Sequence, residues 1–280
     1  MTDFAARFAA LKQVLDDPDA RFIGAGMRDE LLALVGDLPD TAAEAWLFRE
    51  LAVLEGKRDE LACLDHADRA LAAHAASDAL PADRLYFMHL VCGDVGTIFS
   101  GGPRTKMHLD HALALHGAVS RPIEEAFAIR LNQGVHSWSN DSARRGLDWF
   151  EPLLTDGEGF YGAESPELSH LLWLMSRSEE ALGNMPAALT YGTRSLDLVD
   201  QVADPARKVT AMLTHANLLH RAGQEHEARQ LLAEAHVFAA DHCSAATQEF
   251  LREQTLLLFP AASPPQSLIG RVRRIFSRGR

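Results

Sequence analysis

Aromatic residues make up only 7% of this chain, and runs of β-branched residues are nearly absent. Both scarcities count against strands, which favour such side chains on a pleated, half-buried face. Cysteine is also sparse: Cys63, Cys92 and Cys243 are the full set. An odd, sparse set of thiols fits a reducing compartment better than a disulfide framework. No stretch approaches the roughly 18 to 20 apolar residues that a membrane-spanning helix needs. The opening MTDFAARFAALKQVLDD has no basic start and no long apolar run, so the expectation is no signal peptide and a cytoplasmic protein. Positive charge is short as well. A formal net charge of −12 argues against general nucleic-acid binding, which needs clustered Lys and Arg to neutralise phosphates.

What remains is Ala, Leu and charge. With 280 residues, 47% of them hydrophobic, the chain can bury a sizeable core. Strong helix formers dominate, and the apolar residues recur at spacings of three and four. Trp46, Leu47, Leu51 and Leu54 share one side of residues 43–55, and Val209, Met212, Leu218 and Leu219 share one side of 207–221. Such spacing makes a stripe on a helix and would scatter on a strand.

The breaks between these stripes are periodic. Turns fall near Pro18, Gly56, Gly101, Asn140, Gly183 and Gly223, about 38, 45, 39, 43 and 40 residues apart. Connections fall between them at Leu38-Pro39-Asp40, Leu80-Pro81-Ala82, Ser120-Arg121-Pro122, Ser165-Pro166-Glu167 and Ala203-Asp204-Pro205. Proline at a helix start gives up only an N–H that has no helical partner there. Each repeat therefore reads as helix, tight turn, helix, Pro-marked connection. Small residues recur where the two helices of a pair would cross: Ser176, Ala188 and Ser195 in one repeat, Ala216, Ala228 and Ala235 in the next, with Leu189 and Leu232 as the large neighbours. Helices packed at close distance need small side chains at the contact and large ones beside it.

The Gly–x–x–x–x–Ala spacing of Gly183/Ala188 and Gly223/Ala228 resembles the turn and second helix of the tetratricopeptide-repeat family. The resemblance is close over 166–240 and looser over 40–160. The period is nearer 40 than the family's 34, and the Trp–x–x–Leu–Gly opening is missing. The fourth repeat has Gly134 at the small position without the following Ala. The pattern is similar to the long-helix repeats in sensor and scaffold domains of bacterial regulators. The expectation is an all-α, right-handed α-solenoid of about six antiparallel helix pairs over 1–259, with a capping helix at 244–258. Residues 260–280 are expected to be a Pro-containing linker and a basic tail. Residues 155–166, TDGEGFYGAESP, are expected to form a loop that exposes Phe160 and Tyr161.

Catalytic patterns are missing. Gly96-x-x-x-x-Gly101 is followed by Gly102 rather than Lys, so the glycines before Pro103 are no P-loop, and a helix-pair turn is the better reading. No Gly–x–Ser–x–Gly elbow occurs. Glu167/His170 is a single Glu–x–x–His where a di-metal carboxylate bundle needs two. Cys63/His66, His89/Cys92 and His108/His111 each put two metal-capable groups on one helix face, but a closed site needs four ligands. Neither metal nor cofactor is expected.

In the family that the chain resembles, the first helix of each pair lines a concave binding face. Register from the turn glycines puts His170, Trp173 and Arg177 there in one repeat, Leu213, Asn217, His220 and Arg221 in the next, and Arg130 in the fourth. Arg pairs bidentately with carboxylate, and Asn can clamp a peptide backbone. The expected function is a non-enzymatic scaffold or adaptor that holds a protein or peptide partner, with acidic groups preferred. The alternative is a small-molecule sensor with Trp173 and His170 lining its pocket; a His-rich metal protein comes third. In the tail, Leu268, Ile269, Val272, Ile275 and Phe276 make a helical stripe beside Arg271, Arg273, Arg274, Arg278 and Arg280. Such a segment suits an anionic inner-membrane surface or a partner groove, or folding back on the acidic body.

Overall fold

A computed structural model describes residues 2–15, 25–56, 58–99, 102–199 and 204–259. The breaks expected near Pro18 and at Gly101 and the whole 260–280 tail, with Arg271, Arg273, Arg274, Phe276 and Arg278, lie outside them. Among the described residues all regular structure is helical. The helices are α1 (Thr2–Leu15), α2 (Ala25–Ala33), α3 (Thr41–Glu55), α4 (Glu60–Ser77), α5 (Ala82–Phe99), α6 (Pro103–His116), α7 (Ile123–Asn140) and α8 (Ala143–Tyr161). They continue with α9 (Ser169–Ala181), α10 (Met185–Val199), α11 (Pro205–Arg221), α12 (Glu225–His242) and α13 (Ala245–Leu258). Within each unit the helices pack as antiparallel pairs, α3/α4 and α5/α6 in one and α9/α10 and α11/α12 in the other, as the periodic breaks require, and α7 meets α8 where Gly134 faces Phe150.

Local chemistry sets the ends. Asp40, Asp59 and Asp204 accept hydrogen bonds from the N–H groups of Ala43, Ala62 and Ala206, capping α3, α4 and α11. Such caps are worth about 1 kcal/mol each. Pro103 and Pro205 occupy the first turns of α6 and α11. At the other ends, Gly183 and Gly223 both have φ +80°, which a side chain rarely tolerates. Asn184 N–H then reaches Glu179 O, and Gln224 N–H reaches Leu219 O, closing each helix with its freed carbonyls satisfied.

The chain divides into two compact units, 1–157 and 158–280. The first has a core of Leu47, Phe48, Leu51, Cys63, Ala67 and Met88 at its α3–α5 end. Within the same unit, a Cβ on Gly134 would collide with the Phe150 ring, so α7 and α8 cross through a hole that only glycine leaves. In the second unit Ser176 Oγ donates to Ala188 O at 2.7 Å and Ser195 Oγ to Ser169 O at 2.7 Å. These serines are small enough for the α9/α10 crossing and satisfy their own hydroxyls there. Ala216, Leu232 and Ala235 are buried between α11 and α12, and Leu251 of α13 joins them, so the capping helix is where the sequence places it.

Two expectations are corrected. Residues 155–161 are not loop: α8 runs through Pro152, Gly157 and Gly159 to Tyr161. Leu147, Phe150, Leu153 and Gly157 are buried at helical spacing, and that burial outweighs the breakers. Pro152 is exposed, so the carbonyl it deprives of a donor can meet water. Only residues 162–165 remain as loop. Phe160 is half exposed, with Tyr161 edge-on to it. Leu213, in turn, is a core residue of α11 rather than a groove residue.

Gly134→Val should lower unfolding free energy by about 2 kcal/mol, because the added methyls cannot enter without displacing a fully buried ring. Urea titration followed by circular dichroism measures this, and Gly159→Ala, where a Cβ meets nothing, is the control.

Candidate functional site

Helices α9 and α11 are the first helices of successive pairs, and both pack on α10. Between them lies a cleft of about 280 Å³. His170 and Trp173 enter it from α9, Val199 from α10, and Arg207, Thr210 and Thr214 from α11. The His170 and Trp173 rings stack at 5.7 Å between centroids. Loss of solvent and the neighbouring Arg207 push the His170 pKa below its ordinary value, so the ring is neutral at pH 7. Beside the cleft is a void of about 20 Å³, bordered by Trp173, Arg177 and His215. His215 Nδ1 is buried without a hydrogen-bond partner among the described residues.

The sequence-nominated residues divide. His170 and Trp173 sit together in the cleft, and Arg177 follows one turn on. Asn217 is half-buried on α11 and has no hydrogen-bond partner among the described residues. His220 turns its ring edge-on to Phe259, 4.8 Å away, at the end of α13. Arg177 and Arg221 do not present free charge: both reach the buried Glu180 carboxylate, at 2.6 Å and 2.5 Å. Arg130, in the other unit, is paired with Asp156 at 2.7 Å. Sequence reasoning missed Arg207, which has no ion pair or hydrogen bond among the described residues. The available signal was the absence of an acid at 203, 210 and 211, one turn away on either side, while Asp204 is engaged as the cap.

The histidine and cysteine pairs resolve differently from their spacing. Cys63 and Cys92, from α4 and α5, meet with their Sγ atoms 3.5 Å apart and fully buried, both as free thiols. His66 instead packs on Phe48. His89 and His108 share a 2.8 Å contact between their Nδ1 atoms, one donating and the other accepting, with His111 edge-on to His89. Among the described residues no group of three or more His, Cys, Asp or Glu is arranged to hold a metal.

Burial, reinforced by the neighbouring His108 and His111, lowers His89 to about 3, and burial, reinforced by His111 and Arg104, lowers His108 to about 4. Unfolded, each returns to roughly 6.5. Between those values the unfolded chain binds more protons, so stability from these groups is complete above about pH 6.5 and is lost as pH falls through 4 and 3.

No protein-family model matches the chain, and no curated protein is significantly similar to it. Its fold does match solved structures. Apo NprR, a quorum sensor from B. thuringiensis, superposes with a TM-score of 0.69 at 13% identity, over 92% of this chain and 71% of that one. NprR in complex with its cognate peptide NprX gives 0.59 at 14% identity, over 97% and 78%. A putative kinesin light chain of Podospora anserina with TPR-like repeats gives 0.54 at 13% identity, over 71% and 96%. The chain has the fold of the tetratricopeptide-like helical-repeat proteins. No helix among the described residues is long and apolar enough to cross a membrane.

Two measurements check these electrostatics. The His89 and His108 ring signals should not titrate above pH 5 in NMR, and melting temperature should fall as pH drops from 6.5 to 4. Glu180→Ala should cost about 1 to 2 kcal/mol in urea unfolding. It leaves two guanidinium groups without a carboxylate, and their partial exposure keeps the loss below that of a fully buried pair.

Proposed function

We propose that this protein is a non-enzymatic adaptor or receptor that binds a protein or peptide segment along its first-helix face. The observation that carries this reading is the α9–α11 cleft, lined by the stacked Trp173 and His170, with Asn217 half-buried further along α11 and without a hydrogen-bond partner among the described residues. Aromatic groups supply rigid contact area, and an amide can both donate to and accept from a peptide backbone. The likeness to NprR, which was solved with its cognate peptide, supports the same use of the fold. Arg177 and Arg221 border this face, but their charge is met by Glu180, so they act as hydrogen-bonding frame rather than as the source of attraction for acids.

A second reading has its own support. At about 280 Å³ the cleft is just below the usual volume range of small-molecule pockets, so a compact ligand would fill it.

The test is crosslinking capture from source-cell lysate, with wild type beside a Trp173→Ala/Asn217→Ala variant whose melting curve is checked in parallel. The expected result is a specific partner that the variant loses by tenfold or more while remaining folded. Equal capture by both proteins would sink the reading.

A further inference from the structure

We propose that the α9–α11 cleft takes an apolar group that carries a carboxylate, with the apolar part over Trp173 and the carboxylate on Arg207. This rests on the first-helix face being the binding face, and it names the chemistry of the ligand. Three observations on separate residues carry it.

The first is charge. Of the arginines near this face, Arg177 and Arg221 share Glu180, and Arg194 is held by Glu158 and by Ala163 O. Arg207 makes no ion pair among the described residues, and no acid lines the cleft that it borders. The contrast lies in the other unit. There a cleft of about 220 Å³ is bordered by Arg49, Arg84 and Arg121, but Glu50 and Asp83 line it too, so acid already meets base.

The second is donor supply. Thr210 and Thr214 donate their hydroxyls to Ala206 O and Thr210 O, and Ser195 donates to Ser169 O. Ser169 Oγ, also on the lining, is buried without a hydrogen-bond partner among the described residues. An anion in the cleft therefore has two donors to meet, that hydroxyl and Arg207, whose guanidinium matches a carboxylate bidentately, with the neutral His170 ring at its side.

The third is shape. Most of the surface that the lining presents is apolar, with Trp173, Val199 and Ala211 among its residues, and the volume suits one large side chain or a small acid rather than an extended ligand. The charged end belongs at Arg207 and the apolar end on the indole.

This chemistry has two sources, a peptide with a terminal carboxylate beside an apolar residue, or a free small carboxylic acid. The test uses N-acetylphenylalanine, its amide, and the peptide Gly-Ser-Gly-Ala-Phe in free-acid and amidated forms. Affinity is read by calorimetry, and the site by NMR shifts of the Trp173 indole N–H and the His170 ring. Both acids should shift these signals, and each amide should bind about tenfold more weakly, the scale of one charge-assisted hydrogen bond. Arg207→Gln should lower acid affinity by the same factor and leave the amides unchanged, while Arg144→Gln, an exposed arginine paired with Asp148 in the other unit, should alter neither. Tighter binding of the peptide acid assigns the peptide source, and equal affinity assigns the small acid. The proposal is overturned if acid and amide bind alike, if Arg207→Gln matches wild type, or if no probe shifts Trp173 at millimolar concentration. A partner captured through Trp173 and Asn217 without any carboxylate dependence would remove this inference and leave the binding face standing.

Discussion

Close approach of paired helices is the constraint on which the rest of this structure depends. Where two helices cross there is room for a hydrogen, a methyl or a hydroxyl and for nothing larger. Gly134 meets the Phe150 ring, Gly192 lies against Ser176, His215 and Leu218, and Ala188 and Ala216 are fully buried. Small contacts of this kind hold each pair tight and leave the large side chains to fill the flanks. They also decide where space remains. Because α9 and α11 both pack on α10, the gap between them becomes a cleft, and the residues at its rim are the ones that can meet a ligand.

Charge at that rim is governed by neutralisation. Glu180 is almost wholly buried, and an isolated carboxylate there would be expensive to maintain. Arg177 from its own helix and Arg221 from the next first helix supply the countercharge, so two cations that look available in sequence are tied to the framework. Arg207 escapes this: Asp204 caps its own helix, and among the described residues no ion pair engages Arg207 and no acid lines the cleft it borders. The same logic governs the buried His89–His108 contact, where neither ring can gain a proton without placing uncompensated charge in the interior.

Much of the architecture was legible residue by residue. Asp40, Asp204, Pro103, Pro205, Gly183 and Gly223 act within one turn of themselves, so the helix ends they mark could be read without a structure. The crossing residues Ser176, Ala188, Ala216 and Ala228 were legible for a related reason: their smallness repeats at a fixed distance from each turn. Gly157, Gly159 and Pro152 misled because breaker chemistry is also local, whereas the burial that carries α8 through them comes from the helix it packs against. His170 and Trp173 could be nominated by register, and the structure stacks them. Leu213 could not be told from its groove-facing neighbours, because a single helix turn separates the core face of α11 from its open one.

By itself, then, the sequence determined the all-α character, the pairing of helices and their boundaries other than the end of α8, since caps, turn glycines and apolar spacing are properties of neighbouring residues. The tertiary structure decided which charges are free. Glu180 and Arg221 lie on different helix pairs, and only folding brings them to 2.5 Å. It also decided that Cys63 meets Cys92 and that His89 meets His108. An ion pair or a cleft between helices depends on positions that no local pattern encodes, and for that reason Arg207 emerges as a charge without an ion pair among the described residues only once the helices are in place.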